Sequence, residues 1–271
     1  MATPTVAIVG LGQIGGSFAA ALTKRRLARV IGVTRRPETA RRALRMKILA
    51  EAGTDLDAIR GADVVVLATP VRTLLRQIPE VAPLVRRDAI LTDVGSTKTE
   101  IVEALRCSKT RATIVAGHPM AGNERAGLDG CDERVFENRP WVLIGDRRKA
   151  AVLERLVAGV GARPTWMKSP RDHDLKVARV SHIPYLLAYA LMGTAEDAVR
   201  VCGNSFRDAT RVAASDADMV LDFLLTNAGP IRRSAAELKD RLDALLRRIE
   251  RGDAAGLRKN LLRARVRRSR I

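Results

Sequence analysis

Short apolar runs punctuate the first part of the chain at 6–9, 30–33, 64–68, 90–93, 113–116 and 141–144, with a last β-like piece at 163–167. Each run is four or five residues long. That pattern predicts strands buried on both faces, as in a parallel sheet. The stretches between them, such as 37–45 and 71–84, carry helical spacing and are read as crossover helices, which gives a doubly wound α/β unit. After Ser169 the strand signals vanish. "DLKVARVSHIPYLLAYALMGTAEDAV" predicts a long, largely buried helix, and further helices follow to the end. Leu238, Leu242, Leu245 and Ile249 fall on one helical face at 4-3-4 spacing, which suits packing against another helix. The change of texture places a boundary near residue 168, with an α/β domain at 1–168 and an all-helical domain at 169–271.

The first strand runs into "VGLGQIGGSF". Gly10, Gly12 and Gly15 match G-x-G-x-x-G, in which a tight turn and a bare backbone let a pyrophosphate approach a helix N-terminus. Gln13 and Ile14 lie within the same turn. A glycine-rich turn after any buried strand can match this pattern, so its placement between a strand and a helix carries the argument. A Rossmann-like domain of this type usually has a carboxylate at the end of the second strand to bind the ribose hydroxyls of NAD. Here that end reads Thr34, Arg35, Arg36, and the next carboxylate is Glu38. A guanidinium pairs with a 2′-phosphate where a carboxylate would repel it, so the expected cofactor is NADP. The plain alternative is that the two arginines cap a solvated helix.

Composition narrows the partners. The 271 residues carry a formal charge of +18, of which a net +8 lies between Arg247 and Ile271. Such a surface attracts phosphate, yet aromatic residues are only 3%, which leaves few stacking platforms for nucleic acid. The tail reads as a solvated, arginine-rich helix end. No apolar run reaches the roughly 18 residues of a membrane span, and the first strand begins too near Met1 for a signal sequence to precede it. A cytoplasmic location is expected. Cys107, Cys131 and Cys202 show neither disulfide nor zinc spacing, and none of the three histidines has metal-ligand spacing, so no metal is expected.

His118 stands in "VAGHPMAG", directly after a strand. His173 and His182 sit together in "HDLKVARVSHIPY", at the start of the helical half. "TDVGSTK" ends another strand with Ser96 and Lys98. Small residues there let a ligand approach the backbone, while the plain reading is a turn with Thr97 or Thr99 capping the next helix.

The ordered set "GLGQIGGS", "LATP", "TDVGSTK", "GHPMAG", "HD…SHIPY" and "FRDATRVAASD" resembles the prephenate and arogenate dehydrogenase family over about residues 6–222. With "GVTRR" it is most similar to the NADP-type arogenate enzymes. The resemblance implies oxidative decarboxylation of a cyclohexadienol in which the hydroxyl becomes acidic as hydride leaves. His118 accepts that proton and Ser96 orients His118 or the hydroxyl. It also implies that Thr69 and Pro70 of "LATP" touch the cofactor, that Arg211 forks onto a substrate carboxylate, that His182 and Tyr185 contact substrate, and that the helical half forms a homodimer. Tyr185 stands where prephenate-preferring relatives often have histidine, and Ser205 where relatives often have glycine. Asp218, just past Arg211, is a candidate acceptor for an ammonium on arogenate; a helix cap at Ser215 or Asp216 accounts equally well for "SDAD". Prephenate as substrate is the near alternative. A β-hydroxyacid dehydrogenase would need a catalytic lysine, for which Lys176 is the candidate, and a nucleic-acid-binding protein would rely on the basic tail.

Overall fold

The computed structural model describes residues 3–123, 125–195 and 197–270. Among these the first half forms strands β1 (Thr5–Val9), β2 (Arg29–Val33), β3 (Glu51–Gly53), β4 (Val64–Leu67), β5 (Ile90–Asp93), β6 (Thr113–Pro119), β7 (Pro140–Gly145) and β8 (Arg163–Trp166). They make one sheet in the order β3-β2-β1-β4-β5-β6-β7-β8, parallel throughout except for the β6–β7 pair. Helices α1 (Gln13–Lys24), α2 (Pro37–Arg45), α3 (Val71–Val81), α4 (Thr99–Cys107) and α5 (Ala151–Gly159) make the crossovers.

The sheet is buried on both faces. Phe18 and Leu22 of α1 and Leu153 and Leu156 of α5 pack on one side, where Phe18, Phe136 and Trp141 form an aromatic cluster with ring centroids 5.0–6.1 Å apart. Leu74 and Ile78 of α3 and Ile101 and Leu105 of α4 cover the other. Continuous apolar strands such as Val64–Leu67 follow from this two-sided burial, since neither face meets water.

Ser169 caps the next helix through Asp172 N, and Pro170 occupies its first turn, where a missing N–H costs nothing. The helical half then comprises α6 (Pro170–Val177), α7 (Ile183–Thr194), α8 (Asn204–Thr210), α9 (Ala217–Thr226), α10 (Ala228–Glu250) and α11 (Ala254–Arg268). The expected single buried helix over residues 174–199 is instead α6, a five-residue π-helical turn at Ala178–His182, and α7. Pro184 supplies the reason. Its ring cannot donate to the carbonyl of Val180 and would crowd it, so the ladder widens, and Ile183 N bonds back to Ala178 O. Nor is the run largely buried: Leu187, Leu191 and Met192 are exposed. Glu196, within the same run, lies outside the described residues. Leu242 and Ile249 of the α10 stripe are exposed as well, while Leu238 packs beside Ala178, Ile183 and Ile231.

Helices α6 and α9 dock on the sheet domain through buried polar groups. Asp222 of α9 accepts bonds from Arg72 at the start of α3, through both main chain and guanidinium. Thr226 meets Thr97 at 2.9 Å.

Candidate active site

The glycine turn is built to hold an anion. Gly10 has φ +106°, and a Cβ there would lie 2.7 Å from the Ala68 carbonyl carbon, so only glycine fits. A Cβ on Gly15 would meet Gly10 O at 2.1 Å, which enforces close packing of α1 on β1. Around Gly12, by contrast, nothing lies within 4 Å of a Cβ position. Gly12 begins α1, whose first turn carries neither an acidic residue nor a side-chain cap. Helix N–H groups and dipole thus face open space, which fits a pyrophosphate. Gln13 is turned elsewhere: its amide holds Asn123 O at 2.9 Å and Arg125 O at 2.8 Å, tying the loop after β6 to the start of α1. Ile14 is half-buried beside it.

At the end of β2, Thr34 N bonds Gly53 O at 3.0 Å, and Arg35 and Arg36 are exposed without an ion-pair partner among the described residues. Glu38 faces Arg41 on the outer side of α2 at 3.8 Å. Thr69 and Pro70 follow β4 at the same sheet edge, with Thr69 Oγ1 on Gln77 at 2.7 Å.

The deepest chemistry lies where β5, β6, α4 and α6 converge. His118, near the end of β6, places Nδ1 2.9 Å from His173 Nε2. His173 Nδ1 lies 2.8 Å from Asp174 Oδ1. Asp174 also accepts from Lys98 N and Thr99 N, each at 2.8 Å, and from the Thr99 hydroxyl. The N-terminus of α4 is therefore capped from 75 residues away, not by Thr97 or Thr99 as the local sequence suggests. Below this group the ammonium of Lys98 pairs with Asp93 and bonds Gly117 O at 2.8 Å, both side chains being fully buried. His182 is equally buried, stacked on Phe223 at 4.4 Å between centroids, with Asn227 Nδ2 3.0 Å from its Nδ1.

Burial dominates the electrostatics. It pushes His118 well below the ordinary histidine value, reinforced by His173, Lys98 and His182. Burial lowers His173 too and takes His182 to about 4. Burial alone would raise the Asp174 carboxyl, but bonds from His173, Thr99 and Lys98 outweigh it and hold it below the carboxylate range. The result is an anionic Asp174 beside neutral imidazoles. A neutral, buried imidazole near the end of a strand, whose following loop is tied to the glycine turn through Gln13, can accept a proton as hydride leaves a nearby carbon.

The other expected residues are distributed as follows. Ser96 is half-buried in the β5–α4 loop and makes no hydrogen bond to His118, whose Nδ1 is held by His173. Tyr185 packs edge-on against Phe223 at 5.2 Å, with its hydroxyl 3.5 Å from Ser215 Oγ. Asp216 caps α9 through Met219 N at 2.9 Å, and Asp218 is exposed in the first turn. Arg211 is exposed at the start of the helical turn Arg211–Ala214. Lys176 is on the surface, paired with Asp172 at 2.8 Å, away from the buried polar cluster. His173, Asp174, Lys98 and Asn227 were not assigned from sequence; the adjacent "HD" was the available signal.

Residues 18–165 match the family model for the prephenate dehydrogenase nucleotide-binding domain, and residues 169–263 match that for its dimerization domain. The chain belongs to the prephenate dehydrogenase family. A cyclohexadienyl dehydrogenase of Zymomonas mobilis is 35% identical over 237 residues, 82% of this chain and 80% of that protein. The arogenate dehydrogenase of Synechocystis matches with a TM-score of 0.85 at 29% identity, over 98% of this chain and 99% of that one. A prephenate dehydrogenase of A. aeolicus, solved with hydroxyphenyl propionate and NAD+, matches with a TM-score of 0.90 at 28% identity, over 100% and 99% of the two chains. The protein is thus a dehydrogenase of the prephenate/arogenate family that uses a pyridine nucleotide, with a Rossmann-like domain followed by a helical domain. Among the described residues no helix is long and apolar enough to cross a membrane.

Proposed function

We propose that the protein converts L-arogenate to L-tyrosine with NADP as hydride acceptor, His118 being the base. The observation that carries this reading is the buried row His118–His173–Asp174 near the end of β6, whose following loop is tied to the glycine turn through Gln13. Bound there, the cofactor supplies the acceptor for the hydride. The substrate hydroxyl gives its proton to His118 as the C–H electron pair departs, and the O–H pair becomes the carbonyl π bond. The electrons of the ring–carboxylate bond then stay with the ring as carbon dioxide leaves. The resulting phenolate takes the proton back from His118, so the enzyme returns to its starting state. Ser96 orients the hydroxyl, and Arg211, with its planar fork, takes a carboxylate. His182 contributes a further polar contact from the helical domain.

NADP is favoured by Arg35 and Arg36 standing where an NAD site carries a carboxylate. Arogenate is favoured by Asp218. Because Asp216 already provides the α9 cap, the Asp218 carboxylate is left for an ammonium group, and Tyr185 reaches the same 215–218 segment through Ser215. The exposed apolar residues of α7, α10 and α11 support a homodimer through the helical half. Purified enzyme offered arogenate or prephenate, each with NAD or NADP, is expected to turn over fastest with arogenate and NADP. Preference for prephenate would instead identify 4-hydroxyphenylpyruvate as the product. Asp218→Asn should lower arogenate efficiency relative to prephenate by about tenfold, and an unchanged ratio would remove Asp218 from substrate choice.

A further inference from the structure

Asp174 touches every histidine of the site, directly or through one intermediary. Its carboxylate meets His173 Nδ1, and its main-chain carbonyl accepts from Asn227 Nδ2 at 2.9 Å. We propose that Asp174 is a positioning residue that sets the tautomers of all three histidines, leaving His118 Nε2 as the proton acceptor and His182 Nε2 as a proton-bearing donor.

In a buried space each donor must meet an acceptor. An ionised carboxylate only accepts, so His173 carries its hydrogen on Nδ1. Neutral His173 then has a lone pair on Nε2, and the 2.9 Å contact with His118 Nδ1 requires that His118 donate from Nδ1. Only the other nitrogen of His118, Nε2, can then take up a proton. Had His118 carried its hydrogen on Nε2, two lone pairs would face each other at 2.9 Å in a site without water's dielectric. The second branch runs the other way. The Asp174 carbonyl can only accept, which fixes the Asn227 amide with its NH2 toward both Asp174 O and His182 Nδ1. His182 Nδ1 therefore accepts and Nε2 carries the hydrogen. His173, Asp174, His182 and Asn227 are all at most 2% exposed, so water does not offer alternative partners. One residue thus makes two chemically similar side chains opposite in function, an arrangement that neither histidine's own sequence position encodes.

This inference rests on His118 being the base, and the experiment separates the two. With three histidines in the chain, 15N-histidine labelling gives six ring nitrogens to assign. At pH 7.5 the expected pattern is hydrogen on Nδ1 of His118 and His173 and on Nε2 of His182. Hydrogen on Nε2 of His118 or His173, or on Nδ1 of His182, would overturn the proposal whatever the kinetics. His173→Leu should move the His118 hydrogen toward Nε2 and lower kcat by about 10- to 100-fold, part of the worth of a general base, with KM within about threefold. His173→Gln, whose carbonyl can accept from His118 Nδ1 while its amide donates to Asp174, should recover most of kcat. Full kcat in His173→Leu, with the His118 tautomer altered, would overturn the positioning role. A His118→Asn enzyme that kept its turnover would instead remove the base assignment, while the tautomer pattern of the native protein would stand.

Discussion

Replacing Lys98 by methionine is expected to destabilise the protein by about 3–5 kcal/mol, the usual effect of leaving one member of a buried ion pair without the other. Both Lys98 and Asp93 have no exposed side-chain surface. Methionine keeps the length of the chain but removes the ammonium, so among the described residues Asp93 retains the N–H groups of Gly95 at 2.8 Å and Gly117 at 3.2 Å. The Gly117 carbonyl also loses its donor. In the double variant Asp93→Asn/Lys98→Met no charge is left, and the amide oxygen keeps one of the two glycine N–H bonds, which in the parent go to different carboxylate oxygens. The pair should therefore show a coupling of about 2 kcal/mol or more in a double-mutant cycle. Urea unfolding followed by circular dichroism, at one fixed protein concentration, measures all four proteins. A Lys98→Met variant within about 1 kcal/mol of the parent, or a cycle that closes without coupling, would refute the buried-pair account. The same change acts on the site. Burial is the main reason that His118 stays neutral and Lys98 is a lesser one, so its removal should raise the His118 pKa.

Other outcomes follow from the same geometry. His182 titrates at about 4 in the folded protein against 6.5 when unperturbed, so its contribution to stability is complete above pH 6.5 and is lost as pH falls through 4. That loss amounts to about 3 kcal/mol, and the slope of stability between pH 6.5 and 4 should flatten in His182→Gln. Gly12→Ala should leave the melting temperature within about 2 °C yet weaken cofactor binding by about tenfold or more, because its methyl meets nothing until the cofactor arrives; calorimetric titration checks this. Replacing Arg35 and Arg36 together by serine should raise KM for NADP about tenfold more than KM for NAD, and unchanged discrimination would return both to the role of helix flank.

Much of the sheet was legible because β1, β2, β4 and β7 are nearly continuous apolar runs, a pattern that two-sided burial imposes. Strand β3 was not. Its three residues, Glu51–Gly53, sit at the sheet edge with Glu51 exposed, and pairing with β2 alone holds them in place. The reversed direction of β7 is likewise invisible, since local pattern carries no strand orientation. Helix α7 was legible as apolar but not as exposed. Residues such as Leu187 and Leu191 look the same in sequence whether they meet their own core or another surface. In the site, His118 was readable from its position after a strand and between glycines. Its partner was harder, because 55 residues separate His118 from His173 and no spacing rule joins them. The α4 cap shows the same limit: local sequence offers Thr97 and Thr99, and tertiary structure supplies Asp174.

The role of His118 as base is the centre of the proposed chemistry. Its replacement by asparagine keeps a polar side chain of similar reach but no basic nitrogen. Steady-state turnover with the preferred substrate and cofactor, measured beside cofactor affinity by fluorescence titration, is the decisive comparison. The expected result is a fall in kcat of about two to four orders of magnitude with cofactor affinity within about twofold. Turnover within about threefold of the parent would contradict it and move the proton to another group.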